Sequence, residues 1–300
     1  MKLLVTGSNG FVAGSIIAQT EAEWEVHGIA RAVSHTDRSH IHYHLLDLLD
    51  EEGLARLFVK IKPDIVIHTA AIANIDFCQK NQSVAIAINV DMTKTIAGLC
   101  KEAGIRLIHC STDTVFDGIK GNYEEEDLPN PVNFYGETKL HSEQIVLEAS
   151  SKNVVARLAL VMGLRKSEKG NSFLSDLIWK LENNEQVKFA ENEIRSPVDV
   201  ITLGASLLEL AGKNEFGGII HLAGNTRINR FNMATQIAIA MNFSPELVIP
   251  TNSNSIPDRA PRPNDASMVN AKARRILKTP MLSMQEGLAL IIKGKNGGRI

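Results

Sequence analysis

Cysteine is scarce: Cys78, Cys100 and Cys110 are the whole complement of 300 residues, an odd number with no CxxC pair. A disulfide framework and a cysteine-built zinc site are both disfavoured, and the three read as reduced, mostly buried thiols. An excess of charge of one sign is also missing. Lys and Arg number 32 against 34 Asp and Glu, a net charge of -2, so nothing points to nucleic acid or an anionic membrane as a partner. No unbroken apolar run reaches the roughly 18 residues of a membrane-spanning helix. Residues 1–25 read as a strand and a glycine turn rather than a signal sequence, so the expected location is the cytoplasm. Internal repeats and low-complexity tracts are absent too. What remains is a chain 44% apolar and 22% charged, ordinary for a globular protein and long enough for one large domain or two moderate ones.

The first strongly patterned segment is the start. Lys2-Leu3-Leu4-Val5-Thr6 is an apolar run that stops at Gly7-Ser8-Asn9-Gly10-Phe11-Val12-Ala13-Gly14 and resumes at Ser15-Ile16-Ile17-Ala18. Strand, glycine turn and helix follow in that order. Gly7 permits the tight turn, Gly10 lets backbone approach a pyrophosphate, and Ala13 is small enough for helix to pack on strand. The helix N-terminus then faces the phosphates, which makes Gly7, Asn9, Gly10, Phe11 and Val12 candidate cofactor contacts. An ordinary strand–helix turn is the plainer alternative.

Strand and helix keep alternating. The pattern predicts strands at Trp24–Ile29, Ile41–Leu45, Ile65–His68, Arg106–Cys110 and Val154–Leu160, with helices at Glu51–Lys60 and at Ser83–Ala103, the latter capped by Gly104. Repeated units of this kind predict an α/β fold, a Rossmann-type doubly wound parallel sheet covered on both faces. Cofactors bind beyond the carboxyl ends of such strands. Three segments lie there and should converge: the glycine turn, Thr69-Ala70-Ala71, and Ser111-Thr112-Asp113.

After residue 160 the alternation loosens. Helices are expected at Asn171–Glu182, Asp199–Ala211 and Phe231–Met241, a short strand at Ile219–Leu222, loop over Asn252–Asp265 and a frayed end over Lys293–Arg299. The expected division is therefore a dinucleotide-binding domain over residues 1–160 and a smaller C-terminal, mainly substrate-binding lobe over 161–300, with some returns to the large sheet. His40, His42 and His44 alternate on one strand face. A metal site there is weaker than a solvated face, because no nearby carboxylate completes a ligand set.

Tyr135-Gly136-Glu137-Thr138-Lys139 follows a turn-rich loop, on a helix expected to start near Asn133. Residues at i and i+4 share a helix face, so the phenol and the ammonium can enter one site. A phenol is a poor acid at neutral pH; an adjacent ammonium stabilises its phenolate and should lower its pKa. A proton could then pass to a carbonyl oxygen, with Thr112 as a second donor or simply as a turn cap.

Ser111-Thr112-Asp113-Thr114-Val115-Phe116-Asp117-Gly118, followed by Asn130-Pro131-Val132-Asn133-Phe134-Tyr135-Gly136-Glu137-Thr138-Lys139, resembles the extended short-chain dehydrogenase/reductases, and within them the dTDP-4-dehydrorhamnose reductase group. The likeness runs from the glycine turn through Pro63–Ala71 to Lys139 and returns weakly at Arg157, Gly224 and Arg262-Pro263-Asn264. It implies reduction of the 4-keto group of a nucleotide-linked deoxyhexose. In that reading Tyr135 donates the proton, Lys139 holds the nicotinamide ribose, and Thr112 hydrogen-bonds the carbonyl oxygen. Leu48, Thr69, Ala70 and Ala71 join the cofactor contacts, Asp47 meets the adenine or is a plain loop residue, and Thr112, Asp113, Tyr135 and Arg262 meet the substrate.

The sequence departs from that group in places. Thr114 stands where Tyr is usual, His68-Thr69 where Asn-Ala is usual, and Ala159, Leu160 and Met162 where polar or aromatic residues would border the sugar. The missing acid after the second strand bears on the cofactor: Ile29-Ala30-Arg31 offers Arg31 to a 2′-phosphate, so NADP is expected, with NAD possible and a solvated charge as the alternative for Arg31. No resident metal is expected, and a homodimer is the default assembly. A nucleotide-sugar epimerase or dehydratase, and a noncatalytic nucleotide-sensing regulatory subunit, are the competing functions.

Overall fold

Seven short segments, most of them apolar and buried on both faces, form one parallel sheet whose edge strand Ile41–Leu45 is largely open to solvent. The computed structural model describes residues 1–32, 37–164 and 172–297. The strands are β1 (Lys2–Thr6), β2 (Glu25–Ala30), β3 (Ile41–Leu45), β4 (Ile65–His68), β5 (Arg106–Thr112), β6 (Val154–Leu158) and β7 (Gly218–Leu222). Their order is β7-β6-β5-β4-β1-β2-β3, every neighbouring pair parallel. The order reverses between β1 and β4, and that switch point opens a crevice at their carboxyl ends.

Alternation along β1 sends Leu3 and Val5 to one face and Leu4 to the other. Leu3 and Val5 join Ile16 of the first helix (Phe11–Ala18) and Leu203 and Leu207 of the helix Val200–Gly212. Leu4 joins Leu54 and Phe58 of the helix Glu51–Ile61, Ile96 of the long helix Gln82–Ala103, and Val146 of the helix Phe134–Ala149. The long helix passes for a membrane span by length and hydropathy alone, yet Ile96, Ala97 and Cys100 lie buried against the sheet. Its run is broken by a π turn at Ala87–Asp91, and Gly104, at φ 68°, caps its end as expected.

A second apolar cluster gathers Met162, Leu174, Leu177, Ile237 and Met284 away from the sheet. It carries a parallel strand pair, Val187–Ala190 with Val248–Thr251, that the sequence pattern did not disclose. Of the stretch expected to fray, Lys293–Gly297 is helical instead, and Gly298 and Arg299 lie outside the described residues. A helix runs over Met284–Gly297, because Met284, Leu288 and Ile291 bury one stripe in this cluster.

The helix Phe134–Ala149 is locked onto the sheet by a buried ion pair. Arg157 of β6 donates through Nε and Nη2 to both Glu143 oxygens, at 2.8–3.2 Å, and Ser111 of β5 donates to Glu143 Oε1 at 2.5 Å. Both charged side chains are 2% exposed. Removing one partner strands the other in a dry interior, so Arg157→Met should lower stability in urea unfolding by about 3–5 kcal/mol. A loss under about 1 kcal/mol would mean that the surroundings already neutralise Glu143.

Candidate active site

The cofactor half of the site is built on positions where a side chain would not fit. Gly7 adopts φ +68°, and a Cβ there would lie 3.0 Å from Ala70 Cα, so the turn closes directly on the segment after β4. A Cβ on Gly28 of β2 would lie 2.7 Å from Ser8 Cβ. Gly10 precedes the first helical residue and supplies no capping side chain. The N–H groups of the first turn, Phe11 and Val12 among them, therefore point out at the positive end of the helix, a cradle suited to a pyrophosphate. Asn9 donates to the Ala32 carbonyl at 3.1 Å, tying the turn to the end of β2, where Arg31 is exposed. Asp47 is exposed and accepts from Leu49 N, while Leu48 is buried. Thr69 spends its hydroxyl on the Thr6 carbonyl, and Ala71 stands beside Ala70 at the same strand end.

The other half of the candidate site is carried by one helix start. Asn133 caps it, accepting from Gly136 N at 2.9 Å and donating to the Pro261 carbonyl at 3.0 Å. A Cβ on Gly136 would overlap the Thr114 carbonyl oxygen, so the glycine lets Tyr135 approach Thr112. Thr112 caps a short turn through Thr114 N and contacts Thr114 Oγ1 at 2.6 Å. The cap is therefore present, and Thr112 also lines the cleft beside Tyr135. Asn89, unnoticed in the sequence, sits in the π turn and joins the loop at Ile72 to Thr138 of the catalytic helix. π turns recur where function fixes a helix.

Electrostatics depart from the sequence expectation. Burial pushes the Tyr135 phenol well above its usual value, with Thr112 opposing and Asp113 adding to the rise. Lys139 does not reverse this. Its Nζ donates to His109 Nε2 at 3.0 Å, and burial brings its own pKa down to about 8.

Thr112, Asp113 and Tyr135 open onto a cleft of about 380 Å³. Five cations line it, Lys188, Arg195, Arg230, Arg259 and Arg262, against the carboxylates Asp113 and Glu193. Arg262 is at the cleft, as expected, but both terminal nitrogens are occupied, by Asp76 Oδ2 at 2.8 Å and the Ala260 carbonyl at 2.7 Å. Arg259 is paired with Glu193, and Arg195 lies 3.6 Å from Asp113. Arg230 packs on Phe173 and Phe189 and makes no ion pair among the described residues; burial lowers its pKa to about 10. One signal could have found Arg230. It is the first residue of its helix, where the dipole disfavours a cation. Ala159 and Leu160 line the cleft, whereas Met162 does not border it and lies in the lobe core. His42 and His44 stack on His27, and among the described residues no group of three His, Cys, Asp or Glu is placed to hold a metal.

Residues 1–296 match the RmlD substrate binding domain family. The chain belongs to that family. It is 28% identical to the dTDP-4-dehydrorhamnose reductase of Mycobacterium tuberculosis, over 96% of this chain and 91% of that one. It is also 28% identical to methionine adenosyltransferase 2 subunit beta of Xenopus laevis, over 87% of this chain and 78% of that one. Among solved structures, dTDP-4-dehydrorhamnose reductase from Bacillus anthracis, in complex with NADP, superposes with a TM-score of 0.87, covering 97% of this chain and 98% of that one at 24% identity.

The glycines of this family member divide by their surroundings. Gly14, mid-helix with no atom within 4 Å of a would-be Cβ, should gain about 0.5–1 kcal/mol on Gly14→Ala. Gly136→Ala should lower the melting temperature by several degrees, since the helix must move off Thr114. Thermal unfolding of both variants checks the contrast; equal shifts would mean that the backbone around Gly136 yields freely.

Proposed function

We propose that this protein reduces the 4-keto group of a nucleotide-linked deoxyhexose with NADPH. The observation that carries the reading is that Thr112 and Tyr135 open together onto a cation-lined cleft, with Lys139 one turn further along the Tyr135 helix and a glycine cradle at the neighbouring strand end. A bound dinucleotide would lie with its pyrophosphate at Gly7, Asn9, Gly10, Phe11 and Val12, its adenine at Asp47 and Leu48, and Thr69, Ala70 and Ala71 along its length, and its nicotinamide would supply hydride to the carbonyl carbon. Tyr135 hands its proton to the carbonyl oxygen, and Thr112 shares that oxygen as a second donor. A phenol whose pKa burial has raised stays protonated until the oxygen becomes basic. Lys139 holds the cofactor ribose and stabilises the phenolate left behind. Arg230 and Lys188, which make no ion pair among the described residues, suit a diphosphate; Arg262, braced by Asp76, shapes that wall.

Expected behaviour follows directly. Tyr135→Phe removes one hydroxyl, so NADPH binding should survive while hydride transfer to a nucleotide 4-keto sugar falls on the order of 10² to 10⁴-fold. Near-normal turnover in that variant would assign the proton to another group. A panel of nucleotide 4-keto sugars, followed by NADPH oxidation, identifies the substrate. Should NADPH bind tightly and no sugar turn over, a regulatory role becomes the better reading, the likeness to methionine adenosyltransferase 2 subunit beta being its support.

Cofactor choice rests on Arg31, exposed at the end of β2 with no acid beside it. A charge-assisted bond to a 2′-phosphate is worth roughly 1.5–3 kcal/mol. NADPH should therefore bind more tightly than NADH, and Arg31→Ala should remove the difference. Equal dissociation constants in the unaltered protein would sink the NADP preference.

A further inference from the structure

Lys139 is a buried cation with no carboxylate of its own. The acidic group that approaches it is already engaged: Glu143, one turn along the same helix, is held by Arg157. The other titratable groups near it are Tyr135 on its own helix, His109 and Cys110 on β5, and His68 on β4; the long helix contributes only the polar Asn89 and Thr93. Among the described residues the one acceptor for Nζ is His109 Nε2. An ammonium only donates, so His109 is neutral and carries its proton on Nδ1. That Nδ1 is buried and has no partner.

His68 completes the arrangement. Thr93 spends its hydroxyl proton on the Asn89 carbonyl and so accepts from His68 Nε2, at 3.0 Å. His68 Nδ1 then accepts from Thr6 at 2.7 Å. Its ring lies 5.2 Å from that of His109. Two neutral imidazoles thus pack behind one ammonium, and burial holds both well below the ordinary histidine pKa, His68 at about 3.

We propose that His109 is a positioning residue for the reduction, holding Lys139 by a neutral acceptor so that the ammonium keeps its whole charge for the phenolate and the cofactor. A carboxylate in that place would neutralise the ammonium; an apolar residue would leave it undersolvated and favour the neutral amine. The inference deepens the reductase reading and rests on it, but its test does not require turnover.

The full chain is labelled with ¹⁵N-lysine and ¹⁵N-histidine, and the Lys139 Nζ resonance is assigned by its loss in Lys139→Met. In the unaltered protein Nζ should titrate near 8, and His109 should stay neutral with the proton on Nδ1 down to pH 5. His109→Leu should weaken proton affinity at Lys139 at least tenfold, on the order of one charge-assisted hydrogen bond. His109→Gln, which keeps an acceptor, should restore most of it. NADPH affinity should decline as pH rises through the Lys139 midpoint, and at a lower pH in His109→Leu. A proton on His109 Nε2 in the unaltered protein overturns the proposal whatever the variants do, as does an unchanged midpoint in a folded His109→Leu. If the titrations agree and no sugar is reduced, the reductase reading fails while the Lys139–His109 arrangement stands.

Discussion

Arg157 and Glu143 meet where neither is reached by water, and the position of the active site depends on that meeting. A buried guanidinium is tolerable only against a carboxylate with good geometry, and this pair has a bidentate bond with Ser111 as a third member. The three residues come from β6, from the helix Phe134–Ala149 and from β5, so the pair sets the rotation of that helix over the sheet. Glu143 lies one turn beyond Lys139 and two beyond Tyr135. Once Glu143 is anchored, Lys139 must point beneath β5 and Tyr135 must face its carboxyl end.

Around that anchor the interior is unusually polar for a sheet core. Thr6, His68, Asn89, Thr93, His109, Thr138 and Ser142 are all buried, and hydrogen bonds tie β1, β4, the π turn and the catalytic helix into one block. Polar groups in a dry core are costly unless satisfied, and satisfied they fix a single arrangement. The ammonium of Lys139 is tolerated in this block because a neutral imidazole accepts from it. The second wall follows a different logic. Its cations rise from scattered places between residues 188 and 262 and are held by Asp113, Glu193, Asp76 or aromatic rings, and Arg230 makes no ion pair among the described residues.

Much of the sheet was legible in advance, since its strands are short, apolar and bounded by glycine, proline and polar turns. β1, β3 and β4 fall at the expected residues, and β2, β5 and the long helix differ by one or two. The lobe was less legible. Val187–Ala190 and Val248–Thr251 are four-residue strands that pair across some sixty residues, and nothing local announces such a pairing. Lys293–Gly297, rich in Gly and Lys, reads as fraying because its composition does not show that it continues a helix whose earlier residues Met284, Leu288 and Ile291 share a buried stripe.

The sequence by itself determined the parallel α/β architecture, the glycine turn and the placing of Tyr135 and Lys139 on one helix face, because each rests on local spacing within a few residues. Only the tertiary structure decided what those groups face. A pKa is set by burial and by neighbours distant in sequence, so the raised phenol of Tyr135, the lowered ammonium of Lys139 and its bond to His109, thirty residues away, have no local signature. The same holds for Arg262, whose charge the sequence offered to a substrate and whose hydrogen bonds the fold gave to Asp76, 186 residues away.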